Sequence, residues 1–124
     1  MPDQPAIFRR RHRLSTDHDY RAVFDARCRK SRGPLTVFAR PNGLGHARLG
    51  LSVSRKVGTA VRRAAIKRRI REAFRLMPQS QRGNYDLVVT VRAHQPEKTA
   101  AYANWLSSCI AALDREWNKR AVDG

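Results

Sequence analysis

Residues 54–77 read SRKVGTAVRRAAIKRRIREAFRLM, and this stretch decides how the rest of the chain is arranged. On a helix turning about 100° per residue, Ile66, Ile70, Ala73, Phe74 and Met77 fall on one side and Arg68, Arg71 and Arg75 on the other. One edge can enter a core. Between Arg55 and Arg75 the cations Arg55, Lys56, Arg62, Arg63, Lys67, Arg68, Arg69, Arg71 and Arg75 face one acid, Glu72. Like charges at helical spacing, such as Arg63 with Lys67 and Lys67 with Arg71, each cost an isolated helix roughly 0.2–0.5 kcal/mol. Glu72 is expected to offset part of this through Arg68 and Arg69. A merely solvated face would interleave both signs, so the imbalance points to a polyanionic partner.

The whole chain shares this bias. It has 124 residues, 26 Lys plus Arg against 10 Asp plus Glu, and a net charge of +16. That length fits one domain burying about two-thirds of its unfolded surface. No window approaches the roughly 18 apolar residues of a membrane span, and MPDQPAIFRRRHR lacks the apolar core of a secretory signal, so a soluble cytoplasmic protein is expected. Cys28 and Cys109 form no CxxC or zinc spacing and are expected to be reduced thiols.

Residues 1–13, with Arg9, Arg10, Arg11 and Arg13, read as a flexible basic arm, 14–120 as one nucleic-acid-binding domain and 121–124 as a short tail. Ser15 or Thr16 suits an N-cap, with Asp17 and Asp19 in the first turn of a helix reaching about Arg27. On it Tyr20, Val23 and Phe24 share a face. That spacing normally means a core stripe; two aromatics one turn apart could also form a platform on which unpaired bases stack.

From Arg27 to Val53 the period changes to two. Leu35, Val37 and Ala39 alternate with Thr36, Phe38 and Arg40; Pro41-Asn42-Gly43-Leu44-Gly45 reads as a turn; Leu49, Leu51 and Val53 alternate with Gly50, Ser52 and Ser54. The expected product is an antiparallel pair with one apolar face. The other face is a shallow trough of backbone and hydroxyls with Phe38 in it, suited to an extended nucleic-acid strand. Thr59 is placed to cap the basic helix and Pro78 to stop it. Tyr85, Leu87, Val89 and Val91 then form a strand whose opposite face carries Val88, as in a strand covered on both sides. A last helix, about Thr99 to Lys119, buries Tyr102, Trp105, Leu106, Cys109, Ile110, Leu113 and Trp117.

This alternation gives an α+β fold, one mainly antiparallel sheet backed by helices. At this point a family resemblance becomes specific. LGLSVSRKVGTAVRRAAIKRRIREAFR, preceded by RLSTDHDYRAVF and followed by YDLVVTVR, resembles the protein component of bacterial ribonuclease P from about Phe8 to Arg120. The resemblance implies the order α-β-β-β-α-β-α and a fold like ribosomal protein S5 domain 2, with a left-handed βαβ crossover. Members usually carry Arg-Asn-Arg where this chain has Arg63-Ala64-Ala65, which removes an amide and a cation from the helix face.

The resemblance also implies a function: a subunit that joins a catalytic RNA, one protein to one RNA, to cleave the 5′ leader from precursor tRNA. The RNA subunit holds the Mg²⁺ and performs the hydrolysis. By position, Arg62, Arg63, Lys67, Arg68 and Arg71 would meet the catalytic RNA, and Tyr20, Phe24, Phe38, Ser54, Arg55 and Lys56 would bind the leader. The residues themselves offer no protein catalyst. His12, His18, His46 and His94 are scattered, Asp17, Asp19 and Asp25 read as cap acids, and no carboxylate cluster suits a two-metal nuclease. The alternatives are a ribosomal or other structural RNA-binding protein, and a DNA-binding protein, for which mid-helix alanines supply no base-edge donors.

Overall fold

The computed structural model describes residues 10–123. Its elements are α1 (Asp17–Asp25), β1 (Arg29–Arg32), β2 (Leu35–Pro41), β3 (Arg48–Ser52), α2 (Ala60–Leu76), α3 (Gln79–Arg82), β4 (Tyr85–Val91) and α4 (Thr99–Asp123). Arg9 and the rest of residues 1–9 lie outside the described residues, as does Gly124. The end of the basic segment follows the sheet: Arg10–His12 form a 3-10 turn, Arg13 bridges Leu49, and the Leu14 N–H donates to Leu49 O at 3.0 Å.

The four strands lie in the order β1-β2-β4-β3, with β1–β2 and β2–β4 antiparallel and β3–β4 parallel. The expected antiparallel pair of β2 with β3 is therefore not formed, because β4 lies between them. Residues 42–47 do turn, with Gly43 and Gly45 at positive φ, but they arch over the end of β4. There the Asn42 N–H donates to Asn84 O at 3.1 Å. Parallel neighbours need a crossover, and α2 is the helix of that βαβ unit. Tyr85 to Val89 are all buried, so β4 is covered on both faces as its sequence indicated.

The larger core joins one sheet face to α2 and α4. Leu35, Val37, Leu87 and Val89 meet Ile66, Ile70, Phe74, Tyr102, Leu106 and Leu113. On the opposite face α1 covers a smaller cluster of Leu14, Val23 and Val88. Thr16 and Thr59 are the two N-caps, accepting from Asp19 N–H at 3.0 Å and Arg62 N–H at 3.1 Å. The basic helix ends at Leu76, with Met77 as its C-cap before Pro78. The last helix continues past its expected end at Lys119 to Asp123. Its two indoles are only partly buried, and Trp117 Nε1 donates to Ala39 O at 3.0 Å. Cys28 and Cys109 are buried free thiols. Glu72 does not serve Arg68 or Arg69; it is paired with Arg75, with Arg75 Nε 3.0 Å from Oε1.

One buried ion pair ties the elements together. Asp86 is fully buried and accepts from Arg48 Nε at 2.8 Å and Nη2 at 2.6 Å, and from Asn42 Nδ2 at 2.9 Å. Arg40 lies 3.9 Å away, and Arg48 also reaches within 3.7 Å of Asp19 on α1. A carboxylate inside a strand covered on both sides is tolerated only with such partners.

Three outcomes follow from this packing. Ile70→Ala should cost about 2–5 kcal/mol in urea unfolding, against under about 0.5 kcal/mol for exposed Arg68→Ala. Arg48→Met, which keeps the stem but strands Asp86, should cost about 3 kcal/mol or more by the same measurement. Burial pushes the Cys109 thiol from an ordinary 9.0 up to about 11 and raises Cys28 and Tyr102 in the same direction. The unfolded chain therefore releases those protons first. Stability from these groups is full below about pH 9 and is lost as pH rises towards 11, so the urea midpoint should fall across that interval.

Candidate nucleic-acid interface

The α1 face of the sheet is organised in rows set by strand register. Arg40, Asp86 and Arg48 form one row; Arg29, Phe38, Val88 and Gly50 form the next; Ser31, Thr36, Thr90 and Ser52 form a third. The helix α1 roofs the middle row. Tyr20 lies on Gly50, where a Cβ would stand 2.6 Å from the ring, so only glycine admits this approach. The Tyr20 hydroxyl accepts from the Leu51 N–H at 3.1 Å and donates to Leu51 O at 3.4 Å.

Phe24 and Phe38 meet edge to face with ring centroids 4.8 Å apart, and the Arg29 guanidinium lies 5.9 Å from the Phe38 ring. Phe24, Arg27, Arg29 and Phe38 line a recess of about 380 Å³. The hydroxyl row beyond it is partly or fully exposed, with Ser31 Oγ and Thr36 Oγ1 2.8 Å apart. Tyr20, Phe24 and Phe38 thus come together as one half-buried surface, which serves both as packing and as an aromatic edge open to solvent. Hydroxyls and aromatic edges with flanking guanidinium groups suit an unpaired polynucleotide.

The second surface belongs to α2. Arg68 and Arg71 are exposed and make no ion pair or side-chain hydrogen bond among the described residues. Arg62, Arg63 and Lys67 are half-buried beside them, with Arg63 Nε donating to Gly58 O at 3.3 Å. Arg69 is turned aside, its Nη1 donating to Glu97 O at 2.9 Å. Ala64 is exposed on this face and Ala65 is half-buried.

Ser54, Arg55 and Lys56 link the two surfaces. All three are exposed where the chain leaves β3, in a turn anchored by buried Val57, and they lead from the cleft side of the sheet into α2. Two positions escape a reading by residue type, namely Arg48 and Asp86, whose ion pair also reaches Asp19 and holds α1, with Tyr20 and Phe24, over the sheet. Their signal was present: an acid within a strand apolar on both faces requires a buried partner. Among the described residues no three His, Cys, Asp or Glu side chains converge as metal ligands, and no helix is long and apolar enough to cross a membrane.

Comparison with known proteins accords with this geometry. The family model described as Ribonuclease P matches residues 8–116. The ribonuclease P protein component of Methylococcus capsulatus is 43% identical over 94% of this chain and 87% of its own length. That of Chromobacterium violaceum is 44% identical over 87% of this chain and 90% of its own. Among solved structures, a Staphylococcus aureus RNase P protein superposes with a TM-score of 0.66 at 31% identity, covering 82% of this chain and 94% of that one. With a matching family model over most of its length, and relatives of this identity and coverage, the chain belongs to the ribonuclease P protein family.

Proposed function

We propose that this protein is the RNA-organising subunit of a ribonuclease P ribonucleoprotein, joining one catalytic RNA in a one-to-one cytoplasmic complex that removes 5′ leaders from precursor tRNA. The observation that carries the reading is the pairing of two different surfaces across one short turn. Arg62, Arg63, Lys67, Arg68 and Arg71 grip folded RNA by its phosphates, and Tyr20, Phe24 and Phe38 with Ser54, Arg55 and Lys56 receive the leader. Arg68 and Arg71 suit this role because they are exposed and unpaired, so a phosphate relieves their mutual repulsion on the helix.

The protein's own work is binding and positioning. The aromatic edges stack on unpaired bases, and the cations set the distance between the leader and the catalytic RNA. Among the described residues Asp86, Glu72 and Glu116 are held by arginine or lysine partners, and hydrolysis is assigned to the RNA subunit. In this reading the RNA would hold the Mg²⁺, and the chemistry that ion would supply is metal-assisted hydrolysis of a phosphodiester.

Reconstitution with the RNA of the same source tests the assignment. The protein alone should leave precursor tRNA intact, while protein and RNA together should cleave at lower magnesium than RNA alone. Arg68→Ala with Arg71→Ala should flatten the salt dependence of assembly by about two contacts and keep the fold. Phe24→Ala should instead weaken precursor binding relative to mature tRNA, by about tenfold, within the 1–3 kcal/mol measured for a stacked base. Cleavage by the protein without RNA, or equal loss of both functions in both variants, would overturn the assignment.

A further inference from the structure

The aromatic cleft has two ends. At the β3 end it opens toward Ser54, Arg55, Lys56 and the start of α2. At the other end Phe38 meets Arg29 and Arg27 on β1 and the turn before it, where the sheet stops. The edge strand β1 reads RKSR, and its residues alternate across the sheet: Arg29 faces the cleft, while Lys30 and Arg32 face α4. On that far side lies a concavity of about 360 Å³ lined by Lys30, Arg32, Ala112, Arg115, Glu116 and Lys119.

The charge of this groove is unbalanced in the same way as α2. Arg115 and Lys119 stand one turn apart, exposed and without ion-pair partners among the described residues. The acid between them, Glu116, is divided between Lys30 Nζ at 3.9 Å and Arg120 Nε at 3.5 Å. Arg32 is held in place, with Nε donating to Ser108 Oγ at 3.0 Å and Nη1 to Ser31 O at 2.8 Å. A fixed guanidinium beside two free cations is a preorganised phosphate contact, and it begins where the cleft ends.

We propose that this groove is a distal subsite for single-stranded RNA, which takes the phosphates of a leader after it leaves the aromatic cleft and crosses the β1 edge. The proposal rests on the leader-binding role of that cleft. Direction follows from topology: the β3 end of the cleft abuts α2 and hence the catalytic RNA, so the 5′ extension must exit past Arg27 and Arg29. The groove offers no aromatic side chain, so it reads backbone charge and length, with no preference for base.

The test compares precursor tRNAs with leaders of roughly four and roughly sixteen nucleotides, bound by the reconstituted holoenzyme over a salt series. The longer leader should bind more tightly, with a salt slope steeper by about 1.4 if two phosphates are engaged. Arg115→Glu with Lys119→Glu should abolish that gain and leave the short leader unchanged, while exposed Lys98→Glu, away from the groove, should preserve it. Arg115→Gln with Lys119→Gln should give an intermediate loss, and circular dichroism should report a folded protein for each. A gain that survives the reversal, or no gain with length while the short leader still binds, would overturn the proposal. So would equal weakening of both leaders together with RNA assembly, which would assign the groove to the catalytic RNA. Indifference to a leader of any length would fault the cleft assignment instead.

Discussion

The pairing of β4 between β2 and β3 is the constraint on which the rest of this structure depends. Because β3 and β4 run parallel, the chain cannot return by a tight turn and must cross the sheet with a helix. That helix is α2, and its position beside α4 follows from the Ile66, Ile70 and Phe74 edge that it buries. The opposite, cationic edge is then displayed outward without any residue having to be placed there separately. The same strand supplies Val88 to the α1 face, so one central element fills both cores and keeps the two surfaces in fixed relation.

Much of this was legible in the chain itself. The basic helix runs from its Thr59 cap to Leu76, two residues before Pro78, with the expected buried edge, because period, cap and breaker all agree. The two-sided character of β4 was visible in consecutive apolar residues. The neighbour of β3 was not, since Asn42-Gly43 flanked by alternating strands has the local chemistry of a hairpin. The partner that displaced the hairpin lies some forty residues downstream, and the Asn42 contacts that accommodate it are not encoded as a local pattern. β1 was equally hard to see. RKSR has no apolar alternation, and it is a strand because β2 offers it a ladder and α4 packs against the face that carries Lys30 and Arg32.

The site was legible where one side chain implied its role and illegible where roles were shared. Tyr20, Phe24 and Phe38 are half-buried, so the packing reading holds, and the ring edge left open is what the proposed stacking would use. Glu72 had several arginines within helical reach, and spacing alone did not choose Arg75. Arg48 and Asp86 are the instructive pair. Neither touches the recess beside Phe38, yet their bidentate contact joins β3 to β4 and draws in Asp19 of α1, which sets the height of the roof over the sheet. Buried carboxylates are costly, and this one is retained where it orients the helix that carries Tyr20 and Phe24.

A net +16 works against compactness, and the described ion pairs neutralise few of the cations. The acids are not spread evenly to relieve it. Asp86 and Glu72 satisfy particular arginines, while Arg68 and Arg71 on α2 and Arg115 and Lys119 on α4 are left without partners among the described residues. On α2 Ala64 is exposed one turn before Arg68, so the helix can approach a phosphate backbone closely there but presents no amide to a base edge. In the proposed assignment, recognition on that face is a matter of shape and charge. Any sequence preference would then belong to the aromatic cleft, whose ring edges suit bases where the cations of α2 suit phosphates.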